Sequence, residues 1–165
     1  SDTMTKVLFI DNREKSGLED LVKKYCDKNG LSHQTKQNMI ADYVFRSVGI
    51  EAKSIHDYMG SMMSGHLEQQ LQNLDDNYNH AILLVWGTLD KYLAQAVKSG
   101  RRIPYQRAWS SWIGSLARYS TDYDLDIITM PDQVRHDSSV SDSRRTGVWG
   151  RPQHTVCYAR QPLRT

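Results

Sequence analysis

Ala41-Asp-Tyr-Val-Phe-Arg-Ser-Val-Gly-Ile-Glu-Ala-Lys-Ser-Ile-His-Asp-Tyr58 is the stretch whose pattern sets the architecture. Asp42 to Arg46 and Val48 to Lys53 are short runs rich in β-branched and aromatic residues, joined through Ser47-Val48-Gly49, and they read as an antiparallel hairpin. Ser54-Ile-His-Asp57 has capping-box spacing, so the returning strand is expected to run directly into a helix. Strand alternation puts Glu51 and Lys53 on one face and Ala52 on the other. Across the hairpin, Asp42 can lie beside Glu51 and Lys53.

Outward from the hairpin, short apolar runs alternate with amphipathic stretches. Upstream, Lys6-Val-Leu-Phe-Ile-Asp11 predicts a strand that ends on a carboxylate. Ser16-Gly-Leu-Glu19 then predicts a capped helix to about Lys28, with Leu18, Leu21, Val22 and Tyr25 on its apolar face and Asn29-Gly30 as its stop. Leu31 to Gln37 is a weaker alternating strand. Downstream, Leu67, Leu71 and Leu74 give a helical stripe within His66 to Asp75, and a buried strand follows over His80 to Gly87. Leu89 to Lys98 predicts another helix. Pro104 suits the first turn of the next, whose expected apolar face is Ala108, Trp109, Trp112, Ile113 and Leu116, and Leu125 to Met130 is the last strand. The whole predicts an α/β fold, a central mixed sheet flanked by helices on both faces.

The chain has 165 residues, 39% of them hydrophobic and 24% charged, which suffices for one domain that buries roughly 70% of its unfolded surface. The alternating rhythm covers residues 1–132. Residues 133–165 form a basic, Ser/Arg-rich tail, expected to be partly flexible, with Asp137 to Gly147 nearly free of apolar residues. The longest apolar run, Ala81 to Trp86, is far below the ~20 residues of a membrane span, which excludes a membrane-spanning helix. Two cysteines, Cys26 and Cys157, are too few for a disulfide framework and fit a reducing, intracellular setting. The first five residues have neither the basic nor the apolar segment of a secretory signal. A formal charge of +2 does not by itself indicate nucleic-acid binding.

The chemistry gathers at predicted strand ends. Asp11 and Glu14 follow the first strand, Asp42 opens the hairpin, and Glu51 and Lys53 share a face of its return. Two carboxylates in one small site repel each other unless a cation sits between them, and hard oxygen ligands suit Mg²⁺ or Mn²⁺. A neighbouring lysine can orient or deprotonate a water, or stabilise charge on a phosphate. The pattern points to metal-assisted phosphodiester hydrolysis.

Asp followed by Glu-x-Lys resembles the PD-(D/E)xK nuclease core. More specifically, Val7-Leu-Phe-Ile-Asp11-Asn-Arg13-Glu14, Ala41-Asp42-Tyr43-Val44 and Ile50-Glu51-Ala52-Lys53-Ser-Ile-His-Asp57-Tyr58 resemble the nuclease domain of the XPF/Hef family of structure-specific endonucleases. In that family these segments read D-x-R-E, G-D-Y and E-R-K-x-x-x-D. The likeness continues through Ser61 to Gln70 and Ile82 to Gly87, and spans about Lys6 to Asp132. It implies a catalytic set of Asp11, Arg13, Glu14, Asp42, Glu51, Lys53 and Asp57, with Asp42 and Glu51 holding Mg²⁺ or Mn²⁺ and Asp11 contributing to the metal site or its water shell. It also implies branched or flapped DNA as substrate, a role in DNA repair or recombination, and a homodimer through the later helices, with Trp109 and Trp112 as the expected contact. The compartment implied is the cytoplasm or nucleoid of a prokaryote or virus, or a eukaryotic nucleus.

The chain departs from the family pattern at Ala41 for glycine, His66 for arginine and Ala52 for arginine. Ala52 keeps alive a second reading, a catalytically weak or inactive DNA-binding scaffold subunit; a Holliday-junction resolvase on the same core is a third. Arg101, Arg102, Arg144 and Arg145 are candidate phosphate contacts. His56 reads as an exposed helix residue that can approach the site, and Cys26 as a small buried side chain rather than a nucleophile.

Overall fold

The computed structural model describes residues 6–14 and 17–131, together with the backbone of 156–158. Its strands are β1 (Val7–Asp11), β2 (Ser32–Lys36), β3 (Tyr43–Phe45), β4 (Val48–Ser54), β5 (His80–Trp86), β6 (Leu125–Met130) and β7 (Val156–Tyr158). The helices are α1 (Leu18–Lys28), α2 (Ile55–Ser64), α3 (His66–Asn77), α4 (Leu89–Lys98) and α5 (Tyr105–Asp122). One mixed sheet runs in the order β2-β1-β3-β4-β5-β6-β7. Strand β3 is antiparallel to both neighbours, β5 pairs parallel with β4 and β6, and β7 closes the far edge antiparallel to β6.

Both faces are covered, as the α/β reading requires. On one face Ile10, Tyr43, Ile50, Ala52 and Leu84 pack against Leu18, Leu21 and Val22 of α1. On the other, Ala81, Leu83, Val85, Leu125 and Ile127 meet buried residues of α2, α3, α4 and α5 in the larger core. The hairpin, the central strand and β6 all fall where the apolar runs predict them. Ser54 ends β4 and caps α2, its Oγ accepting from the Asp57 N–H at 3.0 Å; such a cap is worth about 1 kcal/mol.

Gly65 divides α2 from α3. Its φ of 83° lies in the left-handed region that glycine occupies without strain, and it serves as the C-cap of one helix and the N-cap of the next. The turn lays α3 over the sheet, anchored by Leu67, Leu71 and Leu74, none more than 1% exposed. Burial of each is worth roughly 1.5–3 kcal/mol. With that stripe fixed, the adjoining edge of α3 overhangs the acidic strand ends.

Two expectations need correcting. Helix α1 starts at Leu18 with Gly17 as its N-cap, and Ser16 of the expected capping box lies outside the described residues. Its buried stripe runs through Leu18 and Cys26, and Tyr25, one position off that line, is 63% exposed. On α5 the core positions are Ala108, Ser115, Leu116 and Tyr119, with Trp112 partly buried. Trp109 and Ile113 belong with Tyr105 to a separate stripe at four-residue spacing, all three at least 41% exposed. The expected polar linker after Pro131, and Arg144 and Arg145, fall outside the described residues. No helix among the described residues is long and apolar enough to cross a membrane.

Candidate active site

Register assembles the site. Strand β3 pairs Tyr43 with Ile10 on one side and Ile50 on the other, so Asp42, one residue before it, stands level with Asp11 and Glu51. Ile10, Tyr43 and Ile50 all face α1. Their neighbours Asp11, Asp42 and Glu51 therefore project to the opposite face, under α3. Ala52 packs on the α1 side, so the position that departs from the family arginine points away from the carboxylates.

These three acids, with Arg13, Ile40, Gln70, Asn73 and Leu74, line one cavity of about 360 Å³. Asp11 is buried, and both of its oxygens are within 3.4 Å of Arg13 Nε, with Arg13 Nη2 at 2.8 Å from Oδ2. The same Nη2 donates to the Met39 carbonyl at 2.9 Å, tying the β2–β3 loop to the site. Asp42 is fixed twice: its carbonyl accepts from the Asp11 N–H and its Oδ2 from the Ala52 N–H, each at 2.8 Å. Glu14 is 5% exposed, and its N–H donates to the Asp11 carbonyl at 3.0 Å.

Burial and crowding hold Asp42 and Glu51 protonated well above the ordinary carboxylate range. For Glu51, burial acts first and the Asp42 charge second, lifting the pKa to about 8 against the opposing pull of Lys53. For Asp42, burial dominates and the Ala52 N–H partly offsets it, leaving the pKa at about 6. Lys53 lowers both, as expected of an ammonium two residues beyond Glu51 on the same strand face.

The cavity offers acceptors in excess. Gln70 Oε1 is buried with no hydrogen-bond partner among the described residues, and Gln70 lines the cavity beside Asp42 and Glu51. Two carboxylates that keep a proton and an orphaned carbonyl are the donor set a hydrated hard cation would satisfy. Among the described residues no three His, Cys, Asp or Glu side chains converge closely enough to hold an ion alone. Two carboxylates could still hold a hard cation that keeps several waters. Asp42 and Glu51 fit as ligands, while Asp11, engaged by Arg13, fits the outer shell.

The remaining expected site residues lie elsewhere. Asp57 is exposed in the first turn of α2 and does not line the cavity. Arg101 and Arg102 are exposed between α4 and α5; Arg101 borders a second cavity with His56, Gly60, Met63, Ser64 and Tyr92. His56 is exposed, its ring 6.0 Å from that of Tyr92. Cys26 is buried, which pushes its thiol pKa up. Sequence reasoning did not assign Gln70 or Asn73 to the site; their position beside the Leu67-Leu71-Leu74 stripe was visible, but what that edge of α3 faces is decided only by packing.

The raised pKa values have a definite consequence for stability. Between the ordinary carboxylate range and pH 8 the folded chain binds more protons than the unfolded one, so the stability of the metal-free chain falls as pH rises. Thermal melting without divalent ions is expected to give a higher Tm at pH 5 than at pH 8.5, with a flatter dependence in Glu51→Gln. At pH 8.5, Mg²⁺ is expected to recover part of the loss by replacing the proton. A Tm that rises from pH 5 to pH 8.5 in the metal-free chain would contradict these electrostatics.

Known proteins resemble the chain in the same region. Residues 10–135 match the ERCC4 domain. The 3′-flap repair endonuclease Xpf of Saccharolobus solfataricus is 28% identical over 128 residues, covering 76% of this chain and 49% of the relative. The chain thus spans about half the length of that curated relative. Among solved structures, XPF from Aeropyrum pernix superposes with a TM-score of 0.57 at 22% identity, over 76% of this chain and 57% of its own. The same protein in complex with DNA gives a TM-score of 0.57 at 19% identity, over 90% of this chain and 68% of its own. With the sheet order and acidic strand ends in place and most of its length matched, this chain belongs to the ERCC4 domain family of XPF-type nuclease folds.

Proposed function

We propose that this chain is a metal-dependent DNA endonuclease domain that hydrolyses phosphodiester bonds in branched or flapped DNA. The observation that carries the reading is the Asp42–Glu51 pair in one cavity, with Lys53 beyond it on the same strand face. Membership of the ERCC4 family supports it, as do a relative named a 3′-flap repair endonuclease and a similar fold solved with DNA. Asp42 and Glu51 would hold Mg²⁺ or Mn²⁺, which would supply Lewis-acid chemistry toward a phosphate. Lys53 offsets charge developing on the phosphate or orients the water. Asp11 and Glu14 form a buried base beside Asp42, and Arg13, paired with Asp11, is exposed enough to meet a phosphate. Arg101, Arg102, Arg144 and Arg145 contact the DNA backbone outside the reacting centre, while Asp57, in the exposed first turn of α2, keeps the catalytic assignment that the family resemblance carries. The work belongs to DNA repair or recombination, in whichever compartment holds the DNA.

Ala52 does not weaken the enzymatic reading, because its side chain lies against α1. Purified chain with Mg²⁺ or Mn²⁺ is expected to cut end-labelled flap or splayed-arm DNA near the branch, with Asp42→Ala and Glu51→Ala each reducing the rate at least 10²-fold while remaining folded. Symmetric paired cuts in four-way junctions would favour a resolvase. DNA binding without cleavage at high enzyme concentration would favour a scaffold subunit and contradict the proposal.

The exposed stripe of Tyr105, Trp109 and Ile113 supports a homodimer through α5. Trp109 Nε1 donates to the Tyr105 hydroxyl at 2.7 Å, which holds the two rings as one edge-on unit. Light scattering is expected to give a dimer at micromolar concentration and a monomer for the double variant Trp109→Arg with Ile113→Arg. A monomeric parent chain would contradict this contact.

A further inference from the structure

Tyr78 joins the end of α3 to the β4 face that carries Glu51. It is the C-cap of α3, its N–H donating to the Leu74 carbonyl at 3.2 Å, and its extended backbone, φ −129° and ψ 137°, leads the chain back toward the sheet. The ring lies on Gly49. A Cβ at position 49 would stand 2.4 Å from Tyr78 Cδ2 and 2.5 Å from Cγ, a separation no real side chain tolerates. Gly49 and Glu51 are two apart on β4, so the ring fills the place next to Glu51 on the same face. At its far end, the Tyr78 hydroxyl accepts from the Ala41 N–H at 3.3 Å.

Ala41 has no exposed surface, so its N–H has no water to turn to if that hydroxyl is lost. The loop between β2 and β3 has no regular structure: Gln37, Asn38 and Ile40 are exposed, and Asn38 takes a left-handed φ of 57°. Ahead of the two bonds at Asp42 itself, its described anchors on the site side are Arg13 at Met39 and Tyr78 at Ala41. The next residue is Asp42, whose Oδ2 accepts from the Ala52 N–H and whose side chain lines the cavity.

We propose that Tyr78 is a positioning residue for the metal site: seated on Gly49 and bonded to Ala41, it braces the Asp42 loop against the strand that carries Glu51. The inference rests on the reading of Asp42 and Glu51 as metal ligands. It assigns Gly49 a role as well, since only a residue without a side chain leaves room for the ring. Tyr78 is not among the residues that line the cavity; it acts by keeping the Asp42 carboxylate at a fixed distance from Glu51. Loss of partners of this outer kind commonly weakens metal affinity 10- to 100-fold.

Two variants and two readouts test the brace. Tyr78→Phe keeps the ring and its packing and removes only the hydroxyl; Gly49→Ala displaces the ring. In the metal-free chain, amide hydrogen exchange at Ala41 and Asp42 is expected to quicken about tenfold in Tyr78→Phe, while β5 amides hold their protection. Mn²⁺ titrated calorimetrically is expected to bind about tenfold more weakly to Tyr78→Phe, and at least as weakly to any folded Gly49→Ala. Exchange and Mn²⁺ affinity both unchanged in Tyr78→Phe would overturn the inference while leaving the metal site standing. Exchange that quickens equally in β5 would reduce Tyr78 to general packing and overturn it too. A parent chain that takes up no Mn²⁺ would overturn the metal site itself, and the brace with it.

Discussion

The three-residue strand β3 is paired antiparallel on both sides, and that double pairing is what the candidate site depends on. Held between β1 and β4, it has one register that keeps Tyr43 with Ile10 and Ile50 in the α1-facing core. A slip of one residue would turn Tyr43 toward the acidic cavity and Asp42 into that core, a change that apolar burial strongly opposes. The register that satisfies the core is thus the one that brings carboxylates from β1, the β2–β3 loop and β4 to the same level and face. The chemistry is placed by packing on the far side of the sheet.

That placement has an electrostatic cost. Bringing Asp42 and Glu51 under α3 removes water from two like charges, and both retain protons that an exposed carboxylate would have lost. Among the described residues, countercharge moderates the repulsion without cancelling it. Arg13 is drawn to Asp11 instead, and Lys53 only moderates the shift. A site that is uncomfortable when empty of cations and rich in oxygen acceptors gains affinity from that discomfort, because a divalent ion replaces protons and repulsion together. The backbone bonds at Asp42 and the brace at Ala41 hold the pair in place meanwhile, so that the folded chain keeps the carboxylates together in spite of their mutual repulsion.

Much of the site was legible in the sequence because strand periodicity is local. The alternation of Ile50, Glu51, Ala52 and Lys53 states which side chains share a face, and Ser54 to Asp57 states where the strand turns into a helix; both readings match the fold. Helix faces were less legible. On α5, apolar residues occupy two adjacent stripes, and spacing alone does not say that Trp112 turns inward while Trp109 and Ile113 turn out. On α1, Tyr25 extends an apolar pattern that the sheet does not reach. Asp57 completes a sequence motif yet stands on the outside of α2, since a motif fixes spacing and leaves direction to the helix. Gln70 and Tyr78 were beyond reach for the same reason: each meets the site across the gap between α3 and the sheet, a contact with no local signature.

Occupation of the cavity between Asp42 and Glu51 by a divalent ion is the central claim. Anomalous scattering from crystals of the chain grown or soaked with Mn²⁺ locates such an ion without recourse to activity. The expected result is a single strong peak within about 2–2.2 Å of a carboxylate oxygen of each residue, with Gln70 facing its water shell. An empty cavity at saturating Mn²⁺ and pH 8, or an ion bound at Asp11 and away from the pair, would contradict it.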